Sequence, residues 1–583
     1  MEFAEQLFGA EPNWAAVITT TVCGTGALLF LFKWVRQSEA RARIQTARDR
    51  RAASLQRAEQ AVRRYRQSHA STDASVILAL PLRELAERLK DSSLDPEDVF
   101  YSYLDKALEV NKRLNCCTEI LLESFEQLKT LGSNKDGLLY GVPVSIKENI
   151  GYKDHDSSCG LNWKLDQPAS EDSVIVEVLK RQGAIPFVKT NIPQALLNYD
   201  CSNPIYGQTL NPHNLNKTCG GSSGGEGALI GGGGSVLGIG TDIAGSIRIP
   251  SSFCGICGIK PTAARLSVRG VAGGCPGQKS VQSTAGPMAR DVDSLALCMQ
   301  ALLSDHMFSL DPTVPPVPFN LQMYQSSKPL RIGYYENDGC QQASPSMARG
   351  FREVKTLLEK AGHTLVPCAP LNPRQTLSEL CVRGILADGA ATLLNNLKGG
   401  PVDPCLSSQI LTYQIPNPGK KLLSLLLKPL FPRIAEVLHA TTGVRSVQEL
   451  WAQHCDVENY RQDTIAEWRR SNIDVLLCPV LGPAYNFFYC GRLTCAVSST
   501  AIYNLLNFPA GVVPVSTVTA EDEEALKHYK GNFGDPWDKL FTEAVSGAEG
   551  LPVAVQCVAL PWQDELCLCL MREVEQLVKQ SRR

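Results

Sequence analysis

A run without a single charge, Trp14–Phe32, limits what the beginning of this chain can become. At about 1.5 Å per helical residue it just reaches across a hydrocarbon core of roughly 30 Å. It predicts a transmembrane helix over 13–35, preceded by a short non-cytoplasmic tail at 1–12; a buried N-terminal helix is the alternative. A cleaved signal peptide needs basic residues in front of its apolar stretch. Here Glu2, Glu5 and Glu11 come first, and Lys33, Arg36, Arg41, Arg43, Arg48, Arg50 and Arg51 come after. By the positive-inside rule, everything behind the span then faces the cytoplasm. Residues 36–70, rich in Arg, Ala, Gln and Glu, read as a solvated basic juxtamembrane helix.

From residue 71 onward the pattern turns globular. With 583 residues and an apolar fraction of 44%, the chain can form several units or one large α/β domain. Pro81–Leu89, Asp95–Leu114 and Ser173–Gln182 read as helices; Val142–Ile146 and Ala184–Val188 read as short buried strands. This alternation predicts an α/β fold. A net charge of −2 gives no reason to expect a nucleic-acid partner. The 21 cysteines are odd in number and scattered, which suits free thiols in a reducing compartment. No zinc-ligand spacing occurs, so no metal is expected. Cys254-Gly255-Ile256-Cys257 has redox-motif spacing but no thioredoxin-like βαβ unit leading into it, and reads as a packing or turn feature. The proline run Pro312–Pro318 reads as a linker between core elements in preference to an SH3 ligand.

Three segments carry candidate chemistry. In Gly141–Asn149 a lysine, Lys147, closes a short apolar strand, where it is expected to point into an interior or a cleft. Gly220-Gly221-Ser222-Ser223-Gly224-Gly225-Glu226-Gly227 is rich enough in glycine to leave backbone N–H groups open. Gly238-Ile239-Gly240-Thr241-Asp242-Ile243-Ala244-Gly245-Ser246-Ile247-Arg248 ends a glycine-rich stretch with a serine behind a tight turn. Neither glycine segment has the phosphate-loop pattern or a dinucleotide fingerprint after a strand. Gly220–Gly224 fits the G-x-S-x-G nucleophile elbow, but polar, proline-bearing Asn211–Cys219 precedes it where a buried strand is required. Each segment alone is equally well read as loop chemistry.

Taken together, Lys147, Ser222 and Ser246 within the run Gly220–Thr262 resemble the amidase-signature family. The resemblance extends from Ser71 to about Val578 and is closest to membrane-bound members acting on fatty-acid amides. The N-terminal span and Gly550–Gln556 agree with it. It implies a large mixed sheet surrounded by helices, with catalytic domain 71–583, and hydrolysis of fatty-acid primary amides and N-acylethanolamines without metal or organic cofactor. Ser246 is the implied nucleophile, Ser222 the proton carrier, and Lys147 the base that starts the relay and the acid that ends it. Backbone N–H groups of Ile243, Ala244, Gly245 and Ser246 are the implied oxyanion donors. Ser223, Asp242 and Arg248 are the implied supports. A free lysine is neutral in only about 1 of 2,500 molecules at pH 7, so burial must lower its pKa. Many members have glycine where this chain has Ala244; a positive φ there would cost about 1 kcal/mol. None of the eight histidines joins these segments.

The resemblance also implies a route for a lipid. Leu196, Leu197 and Tyr199, in the loop Asn191–Asp200, would line an acyl channel. Leu386 and Val437 replace family aromatics, which would alter its shape. A membrane-interface cap is expected at about 407–440. Its segment Gly419–Leu438 mixes leucines with Lys420, Lys421, Lys428 and Arg433, and those basic residues argue against deep burial. A homodimer in an endomembrane, the endoplasmic reticulum by resemblance, is the implied setting. The sequon at Asn216 should then stay unmodified. The rivals are an amidase of small polar amides and a non-catalytic membrane scaffold.

Overall fold

A computed structural model describes residues 14–70, 72–132 and 135–582, so the expected tail at 1–12 lies outside the described residues. One helix runs without interruption over Trp14–Ser68. The sequence predicts two segments there, meeting at residue 36. The second is not merely solvated: it buries a stripe of small and apolar side chains, Ala40, Ile44, Ala47, Ser54, Ala58 and Val62, against the body of the protein. Spacings of three, four and seven put them on one helical face. Arg48 Nε donates to the Ile205 carbonyl at 2.7 Å, and Arg51 Nη2 to Asn115 Oδ1 at 2.6 Å. Among the described residues no helix is long and apolar enough to cross a membrane, so the span expected at 13–35 is not confirmed there.

The body is built on one mixed sheet, eleven-stranded among the described residues. Its strands are β1 (Cys117–Ile120), β2 (Pro143–Lys147), β3 (Ile185–Thr190), β6 (Leu237–Asp242), β7 (Cys257–Lys260), β8 (Thr284–Ala289), β9 (Arg331–Tyr334), β10 (Thr364–Pro367), β11 (Val475–Pro479), β12 (Ala510–Thr517) and β13 (Pro552–Val558); β4 (Ser202–Asn203) and β5 (Gly207–Gln208) form a separate hairpin. The order across the sheet is β1-β3-β2-β6-β8-β7-β12-β13-β11-β9-β10. β2 runs parallel to both β3 and β6. Every residue of β2, β3, β11 and β13 is buried. Strands covered on both faces read as continuous apolar runs, not alternating ones.

The expected elements occur with ends shifted by one or two residues. The helices are Leu82–Lys90, Pro96–Leu114 and Val174–Arg181. Asp95 caps the second by accepting from Glu97 N, and Ser173 caps the third by accepting from Val176 N. Cys254 ends the helix Arg248–Cys254, Gly255 turns the chain at φ +69°, and Cys257 opens β7. All the cysteines described are free. The proline run connects the helices Asp305–Leu310 and Leu321–Tyr324, and the Val317 and Pro318 carbonyls accept from the Arg265 guanidinium.

Candidate active site

The parallel pairing of β2 with β6 sets Ser145 beside Gly238 and Ile146 beside Ile239. One residue further along, Lys147 at the end of β2 lies beside the end of β6, where the chain turns through Ile243–Ser246 into the helix Arg248–Cys254. Both chemical segments thus leave the carboxyl ends of neighbouring parallel strands, where open α/β sheets place their sites.

Lys147 is fully buried. Its Nζ donates to Ser222 Oγ at 2.7 Å, to Thr241 Oγ1 at 2.8 Å and to the Thr241 carbonyl at 3.3 Å. Burial drives its pKa down from 10.5 to about 7, against the opposing pull of Asp242 above all. A large share of the molecules therefore carries a neutral amine at neutral pH. The serine loop leads into the helix Gly224–Gly231, which packs tightly on the sheet: a Cβ at Gly225 would lie 2.2 Å from Asn191 N.

Ser223 joins the two loops. Its N–H donates to the Ser246 carbonyl at 3.0 Å and its Oγ to the Thr241 carbonyl at 3.2 Å. Ser246 is half-buried, and its hydroxyl has no hydrogen bond among the described residues. The structure thus brings Lys147 onto Ser222 and places Ser246 next to them, with the link from Ser222 to Ser246 unformed.

The Ser246 turn is braced from inside. Asp242 accepts from Gly245 N at 2.8 Å, Ile247 N at 3.0 Å, and Arg248 Nε and Nη2 at 3.1 and 3.0 Å. Burial would raise the Asp242 pKa; the Arg248 guanidinium and these hydrogen bonds outweigh it and hold the carboxyl well below the usual range. Arg248, itself fully buried, reaches Thr500 O at 2.9 Å, Gln556 Oε1 at 2.8 Å and Asn504 Oδ1 at 2.6 Å. A buried pair of this kind orders a turn more surely than it adds stability.

Two expectations for the oxyanion donors change. Gly245 N–H is already spent on Asp242, which removes it from the expected set; the N–H groups of Ile243, Ala244 and Ser246 have no hydrogen bond among the described residues. The positive φ belongs to Gly245, at +123°, and not to Ala244, so alanine carries no backbone penalty. The Ala244 carbonyl is fixed by Thr500 Oγ1 at 2.6 Å.

Tyr199 is buried, with its hydroxyl donating to Leu493 O at 3.2 Å and its ring edge-on to Tyr485. Its backbone lies against the serine loop, since a Cβ at Gly221 would be 3.0 Å from Tyr199 Cα. Leu196 and Leu197 pack in an apolar cluster with Leu393, Leu397, Leu406 and Ile410, which ties this loop to the segment entering the cap. Leu386 is buried, and Val437 is half-buried against the main core.

The cap is three helices, Ser407–Gln414, Asn417–Leu427 and Pro432–Ala440. Leu411, Leu422, Leu425, Leu426 and Leu430 are exposed, as are Lys421 and Lys428. Lys420 and Arg433 contradict the expectation for basic residues: both are buried. Lys420 Nζ finds the Thr441 carbonyl at 3.2 Å, and Arg433 pairs with Asp535 and Asp538. The sequence reading missed Thr241, Glu226, Thr500 and Asn504. Thr241 and Glu226 stood inside segments already singled out; the other two carry no local signal.

The family model for amidases matches residues 98–568. Fatty-acid amide hydrolase 1 of Sus scrofa is 50% identical over 577 residues, 98% of this chain and 99% of that protein. The vitamin D3 hydroxylase-associated protein of Gallus gallus is 54% identical over 450 residues, 77% of this chain and 97% of its own length. A solved fatty acid amide hydrolase structure superposes with a TM-score of 0.77 at 24% identity, over 92% of this chain and 95% of that one.

Proposed function

The chain belongs to the amidase family, and from that premise we propose that it is a serine hydrolase of fatty-acid amides. Its substrates are fatty-acid primary amides and N-acylethanolamines, released as free acid and ammonia or ethanolamine, with some ester hydrolysis. The observation that carries this reading is a lysine amine sealed from water 2.7 Å from Ser222. Neutral Lys147 takes the Ser222 proton as Ser222 takes that of Ser246, whose Oγ swings onto Ser222 and attacks the amide carbon. The N–H groups of Ile243, Ala244 and Ser246 meet the charge growing on the carbonyl oxygen. The lysine's proton returns through Ser222 to the departing nitrogen, and the C–N bond breaks to leave an acyl-enzyme. Water, deprotonated by the same relay, frees the fatty acid.

The lipid class rests on the exposed leucines of the cap and on the relatives' stated substrate. Burial of each acyl methylene is worth about 0.8 kcal/mol. An oleoyl amide should therefore exceed acetamide in kcat/KM by about 10³-fold or more. Comparable values for the two would favour the small-amide reading.

We carry membrane attachment as part of the proposal: an N-terminal anchor on an endomembrane, a cytoplasmic catalytic body, an interfacial cap and a homodimer. Trp163 Nε1 donates to Asn396 O at 2.9 Å, and a Cβ at Gly399 would lie 4.0 Å from Arg36 Cδ. The first helix at Arg36, where its basic stretch begins, is therefore next to the loop entering the cap, so both segments can meet one lipid surface. Deleting residues 1–35 removes nothing from the buried stripe, which starts at Ala40. The truncated protein should stay folded and active and still float with liposomes through its leucines. Failure to float at low and moderate salt would exclude an interfacial cap.

A further inference from the structure

We propose that Glu226 is a positioning residue for the proton relay: its carboxyl group fixes the separation between the serine loop and Lys147. The proposal rests on the relay reading of Lys147. Glu226 lies in the helix Gly224–Gly231, which begins two residues after Ser222, and it is fully buried. Its Oε2 is 2.5 Å from Ser145 Oγ and its Oε1 2.8 Å from Thr190 Oγ1. Both partners flank Lys147. Ser145 precedes it by two on β2, so the two side chains share a face. Thr190 is its cross-strand neighbour on β3. One carboxyl group thus pins the helix behind the serine loop to the strands that carry and flank the base.

The fit depends on the opposite strand as well. A Cβ at Gly238 would lie 1.9 Å from Glu226 Oε2, so the carboxyl lies flat on β6 where only glycine leaves room. The surroundings suit a neutral acid. Among the described residues no arginine or lysine bonds to it, and burial raises its pKa to about 8 despite the hydroxyl bonds and the nearby Lys147. When protonated, it can donate to Ser145, whose own hydrogen passes to Ser235 Oγ at 3.0 Å or the Leu237 carbonyl at 3.3 Å. An ionised carboxylate here would favour the charged lysine and weaken the base. The other titratable groups acting on Lys147 are Asp242, Cys201 and Cys159.

The test is kcat, KM and the acid limb of kcat/KM on an oleoyl amide for three variants. Glu226→Gln imitates the neutral acid; it should keep kcat within about threefold and leave the limb near pH 7. Glu226→Ala opens a water-sized polar void that rehydrates Lys147. Its kcat should fall about tenfold or more with KM little changed, and its limb should move up by about half a unit or more. Thr190→Val removes one anchor without changing shape and remains informative if the alanine variant does not fold; kcat should fall several-fold. A Gln variant whose limb moves down by a unit would overturn the neutral acid. Unchanged kcat and limb in the folded Ala variant, or in Thr190→Val, would overturn the positioning role. Lys147→Ala is run alongside: undiminished activity there overturns the relay itself, a separate outcome.

Discussion

Ser246→Ala is expected to abolish hydrolysis, with kcat falling by about 10⁶-fold, the scale of removing a serine nucleophile that acts within a relay. It should also end labelling by a fluorophosphonate probe. The Ser246 side chain is half-buried and bonds to nothing else among the described residues, so stability should change by no more than about 0.5 kcal/mol. Asp242, Arg248 and Thr500 hold the turn through other atoms, and the N–H groups of Ile243 and Ala244 should keep their places. Peptide mapping of the labelled wild type should find the adduct on Ser246. An adduct that persists on Ser222 in the mutant would make the glycine-flanked Ser222 the nucleophile and restore the elbow reading. The geometry opposes that outcome, because Ser222 is buried and already bonded to Lys147.

Much of this site was legible because its parts are short and local. Lys147 stood out as a charge closing an apolar strand, and Ser222 and Ser246 stood out against glycine. The rest depends on contacts that no window of sequence displays. Thr500, Asn504 and Gln556 lie more than 250 residues from the turn they brace. Glu226 stood inside the glycine-rich run with nothing to mark it, and its burial follows from hydroxyls on two strands and a missing Cβ on a third. Arg433 was misplaced for the same reason, since the carboxylates that pay for its burial come a hundred residues later. In the first helix half of the buried stripe is alanine, set among arginines, so little apolar contrast marked it. The concern over Ala244 had the right loop and the wrong residue: which position takes the positive φ is set by how the turn closes on Asp242.

Lys147→Ala should separate the two tasks assigned to the lysine. An amide leaves as a poor anion and needs a proton in the transition state, whereas an ester alkoxide departs more readily. Both reactions should slow by about 10²–10⁴-fold, the amide more than an ester with the same acyl chain. In the wild type, kcat/KM should rise with pH through about 7, as the amine loses its proton, and then level. In the mutant that limb should vanish, and both residual rates should climb toward pH 10 as hydroxide replaces the missing base. Folding stability should depend on pH through the same lysine. The lysine's folded pKa of about 7 lies below its unfolded 10.5, so the penalty for burying a charged amine is complete below pH 7. It diminishes between those values and is absent above them. A Lys147→Met control of matching bulk should therefore melt higher than wild type at pH 6, by a margin that shrinks toward pH 10. If either substrate keeps its wild-type rate, or both lose equally with no rescue by pH, Lys147 is structural and the base must be sought elsewhere.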